Sequence, residues 1–266
     1  MKNSTSFLNK IKTNRATARI AAALFSLIFW VGVWIIAAAL AGNSLIFPSP
    51  LDVISRLYEL VATSDFWLAV AVTLFRITAG LAAGVILAIP LAVLTHRFSV
   101  ANTLTSPLLT IIRATPVTSF ILLAFFWFDK STIPVFTSFL MVFPIMWAGI
   151  ATGLESVPQE LIEMTQVFRF PLWRRITKLY IPAVSSDFRS SLITSIGLSW
   201  KAGVAAEIIA IPRLSIGRNM YEAKVYLETP DLFAWTAVVV ILSLIFERLL
   251  TRLLKGNNTN RGVKEK

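Results

Sequence analysis

Apolar stretches of roughly 20 residues, the length that crosses a bilayer as a helix, recur along almost the whole chain. A soluble core hides one or two such helices, not a series. The stretches are Ile20–Leu40, Phe66–Leu94, Leu104–Phe128, Ile133–Leu154, Ser190–Ile211 and Leu232–Leu250. Composition agrees: 56% of the 266 residues are hydrophobic and 15% charged, with a mean hydropathy of +0.73, whereas an ordinary soluble domain has about a quarter of its residues charged. The sequence therefore predicts an all-α polytopic bundle of about six transmembrane helices. A basic N-terminal segment (1–19) precedes one transmembrane domain (20–254) containing a polar loop at 155–189, and a tail (255–266) follows. The first stretch exceeds a signal-peptide core of roughly 7–15 residues, so it is expected to be an uncleaved span. Pro107, Pro116, Pro134 and Pro144 predict kinks in the third and fourth spans.

The net charge of +11 is set in short basic clusters between apolar stretches, not on a folded polar surface, so no nucleic-acid partner is expected. The clusters report topology. With the N-terminus in the cytoplasm, the same side carries Arg97, Arg169, Arg174, Arg175, Lys178, Arg189, Arg248, Arg252, Lys255, Arg261, Lys264 and Lys266. The opposite loops carry only Arg56, Lys130, Arg213, Arg218 and Lys224, which predicts that both termini are cytoplasmic. Cysteine is absent and His96 is the one histidine, so neither a thiolate nor a histidine metal site is expected.

Local signals place shorter elements. Ser49-Pro50-Leu51-Asp52 reads as an N-cap, a first-turn proline and a first-turn acid, opening a helix with Val53, Ile54, Leu57, Tyr58 and Val61 on one face. Thr229-Pro230-Asp231 repeats that signal before the last span. Gly80 and Gly84 form a GxxxG pair suited to close helix packing. In the long loop, Ser156-Val157-Pro158-Gln159 reads as a capping box that starts a helix with Leu161, Met164, Val167 and Phe168 on one face. Phe170-Pro171 ends it, and Leu172 to Tyr180 forms a second, basic helix before Ile181-Pro182. Such a hairpin either rests on lipid headgroups or inserts its apolar ridge into a partner's groove.

From Glu163-Met164-Thr165 through Arg169 to Leu179, Ile181 and Pro182, this loop resembles the EAA signature of ABC-importer permeases, E-A-A-x3-G-x9-I-x-L-P. Glu163 and Pro182 agree, Met164 and Thr165 replace two alanines, and Arg169 stands where glycine is usual. Phe47-Pro48-Ser49-Pro50, Leu74 to Gly80, Arg113-Ala114-Thr115-Pro116, and Ser199-Trp200-Lys201 to Glu207 are similar to stretches of the sulfonate, taurine and nitrate group. The resemblance implies a type I importer: two permease copies, here a homodimer, two cytoplasmic ABC ATPase subunits and an extracytoplasmic solute-binding protein. It makes Glu160, Leu161, Glu163, Met164, Thr165, Val167, Phe168, Arg169 and Pro182 the ATPase-coupling residues. No G-x4-G-K-[ST] motif is present, so the chain is not expected to be an enzyme. It is expected to bind no cofactor of its own, ATP and Mg²⁺ being bound by the partner ATPase. At Arg169 the turn is in question, because glycine admits a positive φ that arginine resists.

Arg76, Arg113, Lys201 and Glu207 fall within predicted spans, where each charge would cost about 2.5–3.5 kcal/mol at mid-bilayer. They line a pathway for an anionic solute, or they snorkel and pair to hold the bundle. Lys201 and Glu207 lie six positions apart, about 240° around a helix, so their partners are expected on other spans. A gradient-driven secondary transporter would use Glu207 but leaves the hairpin without a role, and permeases of similar appearance carry pyrimidine vitamin precursors. An intramembrane enzyme lacks a nucleophile-and-base constellation here.

Overall fold

The computed structural model describes residues 3–255; Lys2, Arg261, Lys264 and Lys266 of the expected N-terminal segment and tail lie outside them. The chain forms α1 (Asn3–Ala41), α2 (Pro50–Val61), α3 (Ser64–Arg97), α4 (Ser99–Ala114), α5 (Val117–Ala124), α6 (Ile133–Glu155), α7 (Gln159–Val167), α8 (Leu172–Arg175), a π-helical turn (Ile176–Tyr180), α9 (Ile181–Ala210), α10 (Ile216–Val225) and α11 (Thr229–Lys255). Among the described residues, five helical stretches are long and apolar enough to cross a membrane, Leu24–Ala41, α3, α6, Leu172–Ala210 and Thr229–Arg252, and a sixth is added if the bent pair α4–α5 is one span.

Two expectations change. The third span, expected as a kinked helix over Leu104–Phe128, is broken: α4 and α5 meet at 101°. Pro116 has no N–H to continue the helix and pushes Thr115 into an extended conformation (φ −81°, ψ 132°). By contrast, Pro144 sits buried inside α6 without ending it. The fifth span begins earlier than Ser190, because the helix runs from Leu172 to Ala210 without a stop at Ile181-Pro182. The π turn makes this possible: Ile181 N–H donates to Ile176 O, five residues back, next to the proline that cannot donate.

The chain divides into two compact units. In the first (residues 1–62 and 223–234), α2 has the expected Ser49 N-cap, and Asp52 closes it into a capping box: Asp52 N–H donates to Ser49 Oγ, and Ser49 N–H to Asp52 Oδ2. Of its anticipated apolar face only Val53 is buried, and Leu57 is half-buried. Arg56 grips Asp231 through two nitrogens and reaches Glu59 at 2.6 Å. The Asp231 carboxylate, then Glu59, holds the Arg56 guanidinium charged well beyond its usual range. Trp34 Nε1 donates to Pro48 O at 3.0 Å, and Phe233 packs against Trp34 and Phe47.

In the second unit (63–222 and 235–266), α3, α6 and α9 form the packed centre. Without water to drive apolar association, spans cohere by close packing at small residues. The expected Gly80/Gly84 pair faces α6: a Cβ on Gly80 would lie 2.7 Å from Ser138 Cβ, and one on Gly84 2.7 Å from Val142 Cβ. A second small pair, Gly149 and Gly153, which the sequence reading passed over, meets Ser191 and Val184 of α9 in the same way. Leu81, Ala88, Val142, Met146, Ile150 and Ile196 fill the space between the three helices.

Candidate functional site

Toward the C-terminal end of α9, the two spans that carry Arg76 and Glu207 bring them together. Arg76 Nη1 lies 3.3 Å from Glu207 Oε1; Glu207 is fully buried and Arg76 is 8% exposed. Thr73, one helical turn before Arg76, donates from Oγ1 to the Glu207 carboxylate at 2.9 Å, and Gly217 N–H donates to Oε2 at 3.2 Å. Ile216 N–H donates to Thr73 Oγ1. Arg76 completes its fork on backbone: Nη1 to Leu214 O at 3.2 Å, Nη2 to Arg213 O at 3.0 Å, with Ser131 Oγ at 3.5 Å. A buried ion pair is tolerable only when its remaining donors and acceptors are also satisfied, and here each head group has several partners.

The same cluster explains the loop after α9. Ile211 (φ 53°) and Leu214 (φ 49°) occupy the left-handed region, unfavourable for side chains with a Cβ. Their strain persists because Arg76 holds the Arg213 and Leu214 carbonyls and Gly217 approaches Glu207 closely; a Cβ on Gly217 would lie 2.6 Å from the Glu207 carbonyl carbon. Thr73, Ser131 and Gly217 were missed in the sequence. Thr73 alone left a signal, a hydroxyl at i−3 on the same face as Arg76.

The other two intramembrane cations behave differently. Lys201 is exposed and makes no ion pair among the described residues. Arg113 is exposed, donates from Nη2 to Pro144 O at 2.8 Å and lies over the Trp147 ring, whose Nε1 donates to Thr95.

At the opposite end of the Leu172–Ala210 helix stands α7. It starts at Gln159 as expected, but not through a capping box. Because α6 runs on to Glu155, Ser156 caps that helix instead, its Oγ donating to Gly153 O. On α7, Leu161 (40%), Met164 (41%), Val167 (78%) and Phe168 (68%) are exposed, as are Glu160 and Glu163. Thr165 is buried and donates to Ile162 O, so it faces inward and supports the helix from behind. Pro182 is exposed within α9.

Arg169 takes φ 47°, the left-handed conformation that glycine adopts freely. Around it Arg169 N–H donates to Gln166 O and Phe170 N–H to Thr165 O, the paired bonds of a Schellman stop. The bend therefore stays at Arg169 and is not displaced onto Phe170-Pro171. Arg174 lies over the Phe170 ring at 5.6 Å and braces the turn from the following helix.

Known proteins match this architecture. A probable ABC transporter permease protein of Brucella melitensis is 27% identical over 228 residues, covering 85% of this chain and 92% of the relative. The taurine transport system permease protein of Escherichia coli is 25% identical over 221 residues, 80% of each chain. A crystal structure described as an amino acid ABC transporter with histidines superposes with a TM-score of 0.59 at 16% identity, covering 76% of this chain and 96% of that one. Residues 80–257 match the family described as "Binding-protein-dependent transport system inner membrane component". The chain is a multi-pass membrane protein and belongs to that family, the permease subunits of ABC importers.

Proposed function

We propose that this chain forms half of the translocation pathway of an ATP-driven importer, working as a homodimer with both termini cytoplasmic. In this reading two ATPase subunits, which bind the ATP and Mg²⁺, dock on α7, and a solute-binding protein delivers a small anion to the other side. The observation that carries the reading is the outer surface of α7. Leu161, Met164, Val167 and Phe168 are an apolar ridge left open beside two acids, Glu160 and Glu163, that form no ion pair among the described residues. A ridge of that kind on a short helix fits a groove on a partner. Behind it, the Arg169 turn joins α7 to the Leu172–Ala210 helix, so a push on α7 acts directly on a span.

For the solute, the likeness to a taurine permease favours a sulfonate or a similarly small anion such as nitrate. Lys201 and Arg113, whose charges are not neutralised by a carboxylate among the described residues, are the pathway cations on this reading. Arg76 and Glu207 instead hold the pathway's frame.

The test is co-purification with the co-expressed ATPase. Wild type is expected to retain it, and Glu163→Arg/Met164→Asp to lose at least tenfold in retention, about 1.4 kcal/mol or more, while still eluting as a folded protein. Equal retention by both would sink the docking role of α7.

A further inference from the structure

A cavity of about 1160 Å³ lies between α7, the Leu172–Tyr180 segment and the adjoining ends of α3, α6 and α9. Its lining is of two kinds. Ile89, Val93, Ile150, Leu154, Val184 and Phe188 supply its apolar wall, while Arg97, Arg175 and Arg189 bring three positive charges. No carboxylate lines the cavity, and none of the three arginines forms an ion pair among the described residues. Arg175 and Arg189 are half-buried, and Arg175 Nε is fully buried with no hydrogen-bond partner. A buried guanidinium N–H without an acceptor is unfavourable, and the lining offers Arg175 and Arg189 no carboxylate, so an anion in the cavity would satisfy both.

The size and the apolar wall decide which anion. Pockets of roughly 300–1,000 Å³ hold whole drug-sized ligands. A free phosphate would leave most of this space and all of the apolar wall unfilled. Basic pockets between spans on the positively charged side of a membrane protein suit anionic lipid headgroups. The wall also contains the π turn, through Ile176 and Tyr180, and π turns are common at functional positions.

We propose that this cavity binds one anionic phospholipid, its phosphate held by Arg97, Arg175 and Arg189 and its upper acyl chains against Val93, Ile150 and Phe188. The bound lipid fills the space behind α7 and braces that helix against α9. Binding does not depend on what docks on α7; only its consequence for transport rests on the coupling reading above.

The experiment is native mass spectrometry of the full chain, released from detergent containing equal dioleoylphosphatidylglycerol and dioleoylphosphatidylcholine. Wild type is expected to retain one phosphatidylglycerol in preference to phosphatidylcholine by tenfold or more. Arg175→Gln/Arg189→Gln should lose that preference, Arg175→Lys/Arg189→Lys should keep most of it, and Arg213→Gln, an arginine outside the cavity, should match wild type. Unchanged preference in the glutamine variant, equal retention of both lipids by wild type, or displacement of the lipid by inorganic phosphate would each overturn the proposal. If the glutamine variant does not fold, hydrogen exchange of wild type decides. Residues 159–180 should exchange at least threefold more slowly in phosphatidylglycerol nanodiscs than in phosphatidylcholine nanodiscs, and equal rates would overturn the proposal.

Discussion

The helix from Leu172 to Ala210 treats charge in opposite ways at its two ends. Near its C-terminus Glu207 is fully buried, and Arg76, Thr73 and Gly217 all bond to it. Just before its N-terminus, across the Arg169 turn, Glu160 and Glu163 stand exposed on α7 beside an apolar ridge. The contrast follows from the solvent. Inside a bilayer a charge must find its partners within the protein, so such residues become structural ties. Outside it water satisfies the acids, and the surface stays open. An intramembrane charge is therefore weaker evidence for a substrate site than its rarity suggests, and a fully satisfied one weaker still.

The largest test of this contrast is Glu207→Leu. It strands Arg76 without its carboxylate, and breaking a buried pair from one side costs about 3–5 kcal/mol. Chemical unfolding in detergent should show that loss, and Arg76→Leu/Glu207→Leu should recover part of it, whereas Lys201→Leu should cost less than about 0.5 kcal/mol. A Glu207→Leu protein as stable as Lys201→Leu would mean that the buried pair is not the tie described here.

A smaller effect probes the same end by volume. Gly217→Ala puts a methyl 2.6 Å from Ile208 N and displaces the N–H that Glu207 accepts, at a cost of about 1–3 kcal/mol. Gly197→Ala, on α9 with nothing within 4 Å of its added Cβ, should instead be neutral or stabilise by up to about 1 kcal/mol. Matching losses at both glycines would show that α9 is uniformly tight and that the clasp is not special.

Much of the bundle was legible because the signal is local. Apolar length located the first, second, fourth and last spans, though not the break in the third or the early start of the fifth, and Gly80 and Gly84 marked the α3–α6 contact. The clasp was only half legible. Arg76 and Glu207 stood out as charges in apolar stretches, yet they are 131 positions apart, and nothing in either stretch names the other. Ser131 and Gly217 looked like ordinary loop residues. Local grammar also misled where two helices nearly touch: Ser156 has the pattern of a cap for α7 but serves α6, which ends beside it. Prolines were ambiguous for the same reason, since Pro116 breaks a span whereas Pro144 and Pro182 do not, and at Pro182 a π turn re-forms the backbone bond beside it.

At the exposed end the expected effect is a gain. Arg169 holds a left-handed conformation at φ 47°, which costs an L-residue about 1–2 kcal/mol, and glycine's extra entropy offsets about 0.5–1 kcal/mol of that, so Arg169→Gly should stabilise the chain by up to about 1 kcal/mol. ATPase retention should be unchanged, because the Schellman bonds use only backbone groups. A stabilised variant that loses the ATPase would assign the Arg169 side chain a docking role beyond shaping the turn.

The smallest effect concerns the loop that feeds the clasp. Thr132 Oγ1 donates to Asp129 at 2.5 Å and Ser131 N–H donates to it at 2.9 Å. These bonds, the Thr132 hydroxyl first, hold the Asp129 carboxyl below the usual carboxylate range. They also fix the turn that presents Ser131 Oγ to Arg76 at 3.5 Å. A carboxyl that releases its proton more readily when folded adds stability above its unfolded pKa, about 3.9, and loses it as pH falls below that through the folded value. Wild type should therefore exceed Asp129→Asn by a constant margin between about pH 6 and 8, and the two should converge below about pH 4. Because Asp129 is exposed, the margin will be small and needs unfolding curves measured side by side. If the margin instead persists undiminished at pH 3, the amide disrupts the loop by its shape, and the charge on Asp129 contributes nothing to the tie between this loop and Arg76.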